Sequence, residues 1–316
     1  MARLRRVLMT CLLAAALPLH AAGEPTSASR DAAAGGLAFV PDPTIVIETQ
    51  EIVLAAGEIK VNYGLRNIGP AQRTIMAVFP LPDLDTAQIS EQQIRVTTTQ
   101  SANFIAAAIT VDGTPAPVEV EQRALVLGLD ATALLATHQI PLMPFDKGSA
   151  AQLRRLPKVV RNDLLQRGII RVEDERIEAN WILKTTAYWR QSFAPKKAVT
   201  IALSYKPVGG SVAYHATLIE TLRATHCLDA TLEAAITRKV AAQSGKVTFN
   251  WLTYAPGVAA SMLGPVRQLK MRIEKPDIGT IVATCRQGFR PLGPTTLEWT
   301  AQDYSLEEDV HVLFVE

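Results

Sequence analysis

Cysteine is scarce in this chain, with three in 316 residues, and no two are spaced Cys-x-x-Cys, so no dithiol redox centre is written in it. Histidine is nearly as scarce. Beyond residue 22 only His138, His215, His226 and His311 remain, and none pairs at i, i+2 or i, i+4. Metal sites are built from such clusters, so neither a metal nor a cofactor is expected. His226 adjoins Cys227, but without a second nearby thiol that neighbourhood is not a redox site. Gly-x-Ser-x-Gly is absent, which removes the nucleophile turn of an α/β-hydrolase. Gly209-Gly210-Ser211 follows Tyr205-Lys206-Pro207 and reads as a loop that ends a strand. Ser244-Gly245-Lys246 lacks the upstream glycine of a phosphate-binding loop and reads as a turn. An excess of one charge is also missing: 32 Lys and Arg stand against 30 Asp and Glu. A chain so balanced has no global field to draw in nucleic acid.

What is present begins at the amino end. Arg3, Arg5 and Arg6 precede an uncharged apolar run from Val7 to Leu19, followed by His20, Ala21 and Ala22. This is the layout of a secretory signal peptide. The run is about 13 residues, short of the roughly 20 that span a bilayer as a helix. Residues 1–22 are therefore predicted to be removed by a cut after Ala21 or Ala22, leaving a periplasmic or secreted protein. No later stretch approaches a membrane span. Removal takes three arginines and no acid, and moves the formal charge from +2 to −1. It also takes Cys11, which Met9-Thr10 would serve poorly as a lipidation signal. Cys227 and Cys285 remain, and an even pair in an oxidising compartment is expected to form a disulfide. Closing a loop of roughly 60 residues stabilises a fold by on the order of 4 kcal/mol in the chain-entropy picture.

Along the mature chain, residues 23–36 are small and polar without periodicity, and read as a flexible arm. Residues 37–123 read as an N-terminal β-sandwich. Thr44 to Ile47 and Glu51 to Leu54 are β-branched runs, and Ile59, Val61, Tyr63 and Leu65 alternate with polar or small neighbours. Asn67-Ile68-Gly69-Pro70 is turn chemistry, Thr74 to Phe79 is the returning strand, and Pro80-Leu81-Pro82-Asp83 ends it. Ile94 to Thr98, Phe104 to Val111 and Val118 to Val120 continue the pattern, with Asp112-Gly113 as a hairpin turn. Residues 124–178 change period and read as a helical insertion. Leu125, Leu129, Ala133 and Ala136 make one stripe, with Asp130 as its N-cap. A second helix has Pro157 in its first turn, Val160, Leu164 and Leu165 as its stripe and Gly168 at its C-terminal end. Residues 179–316 return to β patterning with one helix, Leu232-Ile236-Val240, capped by Asp229. The expected class is mainly β, sandwich-like, with a small helical insertion and one further helix: α+β as a whole.

Candidate chemistry is thin. Paired carboxylates could act as acid and base on a glycan. Glu173-Asp174-Glu175 and Glu307-Glu308-Asp309 are contiguous runs, which read as solvated faces. Asp83 and Asp85 lie in the Pro-Leu-Pro exit, where aspartate commonly holds a turn through its own backbone. They are the catalytic pair that an envelope hydrolase of glycan or peptide would use. Arg154, Arg155, Lys158 and Arg161 form a basic cluster on the second helix that could meet the phosphates of a lipid or glycan. The acids at 173–175 would neutralise it, and the plainer reading is a solvated helix face. Trp181, Tyr188 and Trp189 could stack on a sugar, but the even spacing of the tryptophans puts both on one sheet face, by default a core face.

Several segments together resemble a bacterial exported family known as domain of unknown function 4424. They are Ala34-Gly35-Gly36-Leu37-Ala38-Phe39, Ile59-x-Val61-x-Tyr63-x-x-x-Asn67 and Ala77-Val78-Phe79-Pro80-Leu81-Pro82-Asp83. Later come Trp181-x-Leu183-Lys184-Thr185-Thr186-x-Tyr188-Trp189, Tyr205-Lys206-Pro207-x-Gly209-Gly210-Ser211 and the two cysteines. The resemblance implies an exported globular protein and brings no activity. Tyr63, Arg66-Asn67 and Phe79 to Pro82 also echo, more weakly, the vault/inter-alpha-trypsin-inhibitor-type domain, a β-sandwich interaction module. Together these readings predict a non-enzymatic exported protein that recognises another protein or a cell-envelope component. An envelope hydrolase using Asp83 and Asp85, or a binder of anionic lipid or glycan at Arg154 to Arg161, are the alternatives.

Overall fold

Alternation becomes strand wherever the sequence shows it most cleanly. In β3 (Glu58–Asn67) the side chains of Ile59, Val61, Tyr63 and Leu65 are buried, and Lys60 and Asn62 between them are exposed. The computed structural model describes residues 33–87, 96–173, 175–256 and 263–316. The expected leader, residues 23–32 of the expected arm, and Ile94-Arg95 of one expected strand lie outside the described residues; residues 34–36 of that arm are buried.

Two sheets face each other across the main core. The eight-stranded sheet runs β18 (Arg290–Pro291), β19 (Thr296–Tyr304), β16 (Val266–Glu274), β2 (Ile45–Ala55), β3, β13 (Ala198–Tyr205), β6 (Ala108–Val111) and β7 (Thr114–Pro115). Only the β16–β2 pair in it is parallel. The six-stranded sheet runs β1 (Ala38–Phe39), β4 (Arg73–Pro80), β12 (Ile182–Phe193), β8 (Glu119–Val126) and β9 (Leu129–Asp130), with β5 (Leu84–Asp85) also on β12. Rings meet between the sheets: Phe79 of β4 lies 5.4 Å from Tyr205 of β13.

The stretches read as two β regions, 37–123 and 179–316, share both sheets. β13 pairs with β3, β16 with β2, and β12 with β4 and β8. Periodicity reports which face of a strand is buried and carries no information about its partner, so the sequence order suggested a boundary that strand pairing crosses. The segment after β3 also departs from expectation. It forms β4, but crosses to the facing sheet instead of returning beside β3. Asn67 is fully buried at that corner: its amide donates to the Ala71 and Phe193 carbonyls, and its side-chain oxygen accepts the Gly69 N–H.

A third sheet of four strands, β14 (Gly210–Ala213), β15 (Thr248–Tyr254), β20 (Val310–Val315) and β17 (Ile281–Ala283), is a middle layer. On β20, Val312 and Phe314 face the main core, while Leu313 and Val315 face a second core under α4 (Leu218–His226) and α5 (Ala230–Ala242). A strand buried on both sides reads as a continuous apolar run, as Val312 to Val315 does. Asp229 caps α5 by accepting the Leu232 N–H, as expected. α4 was not expected. Cys227 closes it in the left-handed region at φ 50° and is bonded to Cys285, with Cα atoms 5.0 Å apart.

The 124–178 stretch differs from its reading in two places. It holds three helices, α1 (Thr132–Thr137), α2 (Lys147–Arg155) and α3 (Lys158–Gln166), followed by the hairpin of β10 (Ile170–Glu173) and β11 (Arg176–Ala179). And Leu125 and Leu129 are strand, not helix. Val126 pairs with Leu129 across the two-residue turn Leu127-Gly128. Leu125 and Leu129 are four apart, a helical spacing, but across the turn they pair with Asp130 and Val126 and so lie on opposite faces of the hairpin. Asp130 consequently caps no helix in the usual position; it ends β9 and accepts the Thr132 N–H. The second expected helix is α3. Gly168 at φ 70° gives its N–H to Leu165 and Ile169 gives its own to Leu164, the two bonds of a Schellman ending.

Candidate recognition surface

The β8–β9 turn carries an uncommon residue. Leu127 and Gly128 have φ of 50° and 83°, the two left-handed positions of a type I′ turn. Glycine suits that geometry; a branched L-residue in it costs about 1–2 kcal/mol. Burial does not offset the cost, because Leu127 is 92% exposed and Leu129, two residues on, is 75% exposed. The Asp112-Gly113 hairpin between β6 and β7 has the same geometry with the residue the turn favours, at φ 48° and 80°. Asp112 there accepts the Thr200 N–H, whereas the Leu127 side chain meets solvent.

The chain leaving α3 passes beside the strand before this turn. A Cβ built on Gly168, just past the end of α3, would lie 3.9 Å from Val126 Cγ1. Leu164 is buried beneath the helix, while Val159 is 80% and Leu165 45% exposed. On a 100°-per-residue wheel Lys158, Val159, Asn162, Leu165 and Gln166 share the outward side, with Arg161 at its flank. Arg154 and Arg155 end α2, and Leu156 and Pro157, both extended, make the corner into α3. The cluster expected on one helix is thus spread over two. Among the described residues no carboxylate comes within ion-pair distance of Arg154, Arg155, Lys158 or Arg161, although neighbouring arginines are paired. Arg167 is 2.8 Å from Asp163, and Arg171 is 3.0 Å from Glu178 and 3.4 Å from Glu173. The Glu173 carboxylate therefore serves Arg171, and Asp174 lies outside the described residues.

A cavity of about 420 Å³ opens between residues 99–102, Gln122 of β8 and the α1–α2 link. Thr99, Gln100, Ser101, Gln122 and Asp146 supply its polar lining, and Leu142 and Met143 part of the apolar one. Its helical wall is well pinned. Ser149 Oγ donates to the Pro141 and Met143 carbonyls, Gln152 to His138 and the Trp181 indole to Leu142. Two of the polar groups already serve the fold, since Asp146 caps α2 through the Gly148 N–H and Gln122 donates to Thr185. No histidine, cysteine or lysine lines it among the described residues.

Asp83 and Asp85 line neither this cavity nor the small one described below. Asp83 is exposed and ion-paired with Lys184 of β12. Asp85 holds a turn by accepting the Ala87 N–H. Trp181 and Trp189 are 1% and 2% exposed, and so belong to the core; Tyr188 is half-buried on the other face and donates to Glu119.

Other segments singled out in the sequence hold the backbone together. Tyr63 Oη accepts the Leu37 N–H, and Tyr205 Oη donates to the Ala34 and Gly35 carbonyls, so the 34–37 segment is strapped across the core. A Cβ at Gly36 would come within 1.9 Å of Tyr63 Oη, and one at Gly210 within 1.8 Å of the Trp251 ring. Only glycine fits at either place. Tyr63, Tyr254, Gln50 and Gly36 border a cavity of about 20 Å³, and Tyr254 Oη is buried without a partner among the described residues. Burial pushes the hydroxyls of all three tyrosines well above their ordinary pKa, so none is a base at neutral pH.

The model of a family described as a domain of unknown function (DUF4424) matches residues 26–313. The chain belongs to that family. No curated protein matches it. Among solved structures, a candidate nutrient binding protein of Legionella pneumophila has a TM-score of 0.45 at 11% identity, over 89% of this chain and 70% of that one. An M1 zinc metallopeptidase of Deinococcus radiodurans has a TM-score of 0.28 at 7% identity, over 87% of this chain and 43% of its own. This DUF4424 chain thus spans less than half the length of the peptidase. Neither similarity is close enough to carry its partner's activity across.

Proposed function

We propose that this DUF4424 protein is an exported, non-enzymatic recognition protein that engages a protein or another component of the cell envelope through the β8–β9 tip and the adjoining α3. The observation that carries the reading is Leu127: a left-handed leucine, 92% exposed, at a position where asparagine or glycine would be more stable. Local strain that nothing in the isolated chain offsets supports a contact made elsewhere. Export is supported by the Arg-rich apolar start and by the Cys227–Cys285 bond, which fits an oxidising compartment. No specific observation favours the hydrolase reading, since Asp83 and Asp85 are occupied by Lys184 and the Ala87 N–H.

The test places a photo-crosslinking residue at position 127 in cells, with exposed Lys246 as the control position. The expected result is an adduct with an envelope component from 127 and none from 246. Equal labelling from both positions, or none from 127, overturns the reading. Fractionation with mass measurement of the mature chain tests export; a chain retained in the cytoplasm with residues 1–22 intact excludes it.

A further inference from the structure

We infer that the outer edge of β8 binds an extended peptide, which joins the sheet as a strand beside Val120 and Gln122. One neutral side chain of that peptide enters the adjoining cavity of about 420 Å³. The site is separate from the Leu127 turn and does not depend on the recognition reading above. β8 pairs with β12 from Glu119 to Leu125, but on its other side β9 reaches only Leu125 and Val126. Ala124 shows which backbone groups face that open side. Its N–H donates to Thr132 Oγ1 and its carbonyl accepts the Ala131 N–H, so both point away from β12. In an antiparallel ladder this direction repeats at every second residue. The N–H and C=O groups of Val120 and Gln122 therefore point the same way, and none of the four has a partner among the described residues.

The side chains along the edge agree. Strand edges that must stay single commonly carry charges pointing inward. β8 has its charges on the outer face, where Glu121 pairs with Arg123 and Glu119 accepts the Tyr188 hydroxyl. The inner face, shared with buried Ala124, carries Val120, 46% exposed, and Gln122, whose amide donates to buried Thr185. Gln122 also lines the cavity, together with Met143 of the main core and Leu142 packed against it. A residue opposite Gln122 in an added strand lies about 4.8 Å away and puts its side chain on the same face. The cavity volume falls within the roughly 300–1,000 Å³ of ligand clefts, so a large side chain can enter. Its lining selects an uncharged one. No cation lines it among the described residues, and its one carboxylate, Asp146, is held by the Gly148 N–H at the head of α2. Thr99, Gln100 and Ser101 offer neutral polar groups, and Leu142 and Met143 apolar ones. An apolar body with an uncharged polar tip, as in tyrosine, matches both. Main-chain pairing gives such a site its affinity, and the pocket gives it specificity.

The experiment selects peptides from a random nonapeptide library displayed on phage, against the full mature protein with its disulfide intact. A synthetic peptide of the selected sequence is then measured. Selected sequences are expected to lack proline over the paired stretch and to repeat tyrosine or another neutral aromatic at one position. Methylating the peptide's backbone nitrogens one at a time should weaken binding about tenfold at every second residue and little between, each loss being one main-chain hydrogen bond. Val120→Pro should weaken binding similarly, because the N–H it removes points away from the β12 ladder. Ala102→Trp, which crowds the cavity, should cost the tyrosine peptide about tenfold and leave its glycine-substituted form unchanged. Amide exchange gives a readout at single residues. In the free protein Val120 and Gln122 should exchange fast and Glu121 and Arg123 slowly, and the peptide should slow only the first pair. Leu127→Asp should alter none of these results, so the edge site and the turn at 127 can fail separately. Three outcomes each overturn the inference: no selected sequence, binding indifferent to backbone methylation, or slow exchange at Val120 and Gln122 in the free protein. The last would mean that the chain itself or a second copy already fills the edge.

Discussion

Three tyrosine hydroxyls share the main core on unequal terms. Tyr205 Oη donates to two carbonyls and Tyr63 Oη accepts one N–H, whereas Tyr254 Oη has no partner among the described residues. An unmade buried hydrogen bond is a cost, so its removal is not. Tyr254→Phe is therefore expected to leave stability unchanged or raise it by up to about 1 kcal/mol, while Tyr205→Phe lowers it by about 1–2 kcal/mol. Urea denaturation of the two variants ranks them directly, and the reverse order would show that the hydroxyls are bonded otherwise. A second residue-scale effect lies at His226, which is 1% exposed with its Nδ1 unpartnered among the described residues. Burial, reinforced by the His311 ring 6.3 Å away, pushes its pKa down to about 4 from the ordinary 6.5. The unfolded chain binds the proton more readily than the folded one. Stability is then full above pH 6.5 and falls as pH drops toward 4, by about 3 kcal/mol for this group. Denaturation midpoints followed from neutral to acid pH should flatten over that window in His226→Gln. An unchanged slope would place the acid sensitivity in other groups.

At the scale of elements, turns with the residue types that their geometry demands were legible. Asp112-Gly113 and Gly168 behave as the sequence indicates, and so does Asp229 at the head of α5, because each effect is confined to a few neighbouring residues. Leu127-Gly128 was not legible. Leucine is the wrong residue for the first left-handed position, and the spacing around it matches a helix as well as a hairpin. The glycine at 128 was the one local sign. α4 escaped because its stripe is brief: Leu218, Leu222 and His226 are its buried residues. Its end is fixed by Cys227, which belongs to a bond 58 residues long. Replacing Cys227 and Cys285 by serine should lower stability by about 2–5 kcal/mol. The loss should concentrate in α4, β17 and the layer between them, measurable as faster amide exchange there. Free-thiol labelling of the denatured, unreduced wild type should give no signal, and two reactive thiols would exclude the bond.

Across the whole molecule, the interleaving of strands decides what can fold. β2 and β3 have neighbours from beyond residue 197 on both sides, β16 and β13. A fragment spanning residues 37–123 would leave β2 and β3 paired only with each other, and an isolated pair of strands is marginal in water. Expressed alone, it is expected to show no cooperative thermal transition, as is a fragment spanning 179–316. A cooperative transition in either fragment alone would restore the boundary read from the sequence.

The sequence by itself determined the faces. Alternation chose which side of β3 and β12 is buried, the even spacing of Trp181 and Trp189 put both inside, and caps and glycines set several ends of elements. These are effects of neighbours along the chain. Only the tertiary structure decided the partners: β3 beside β13, β4 in the facing sheet, Tyr205 under Ala34, and Gly168 beside Val126. Strand pairing and side-chain contact join residues by distance in space, and hydrophobic periodicity holds no term for that distance. The scarcity of catalytic groups narrowed the chemistry, and the fold then left Leu127 and Leu129 exposed at the tip of a hairpin.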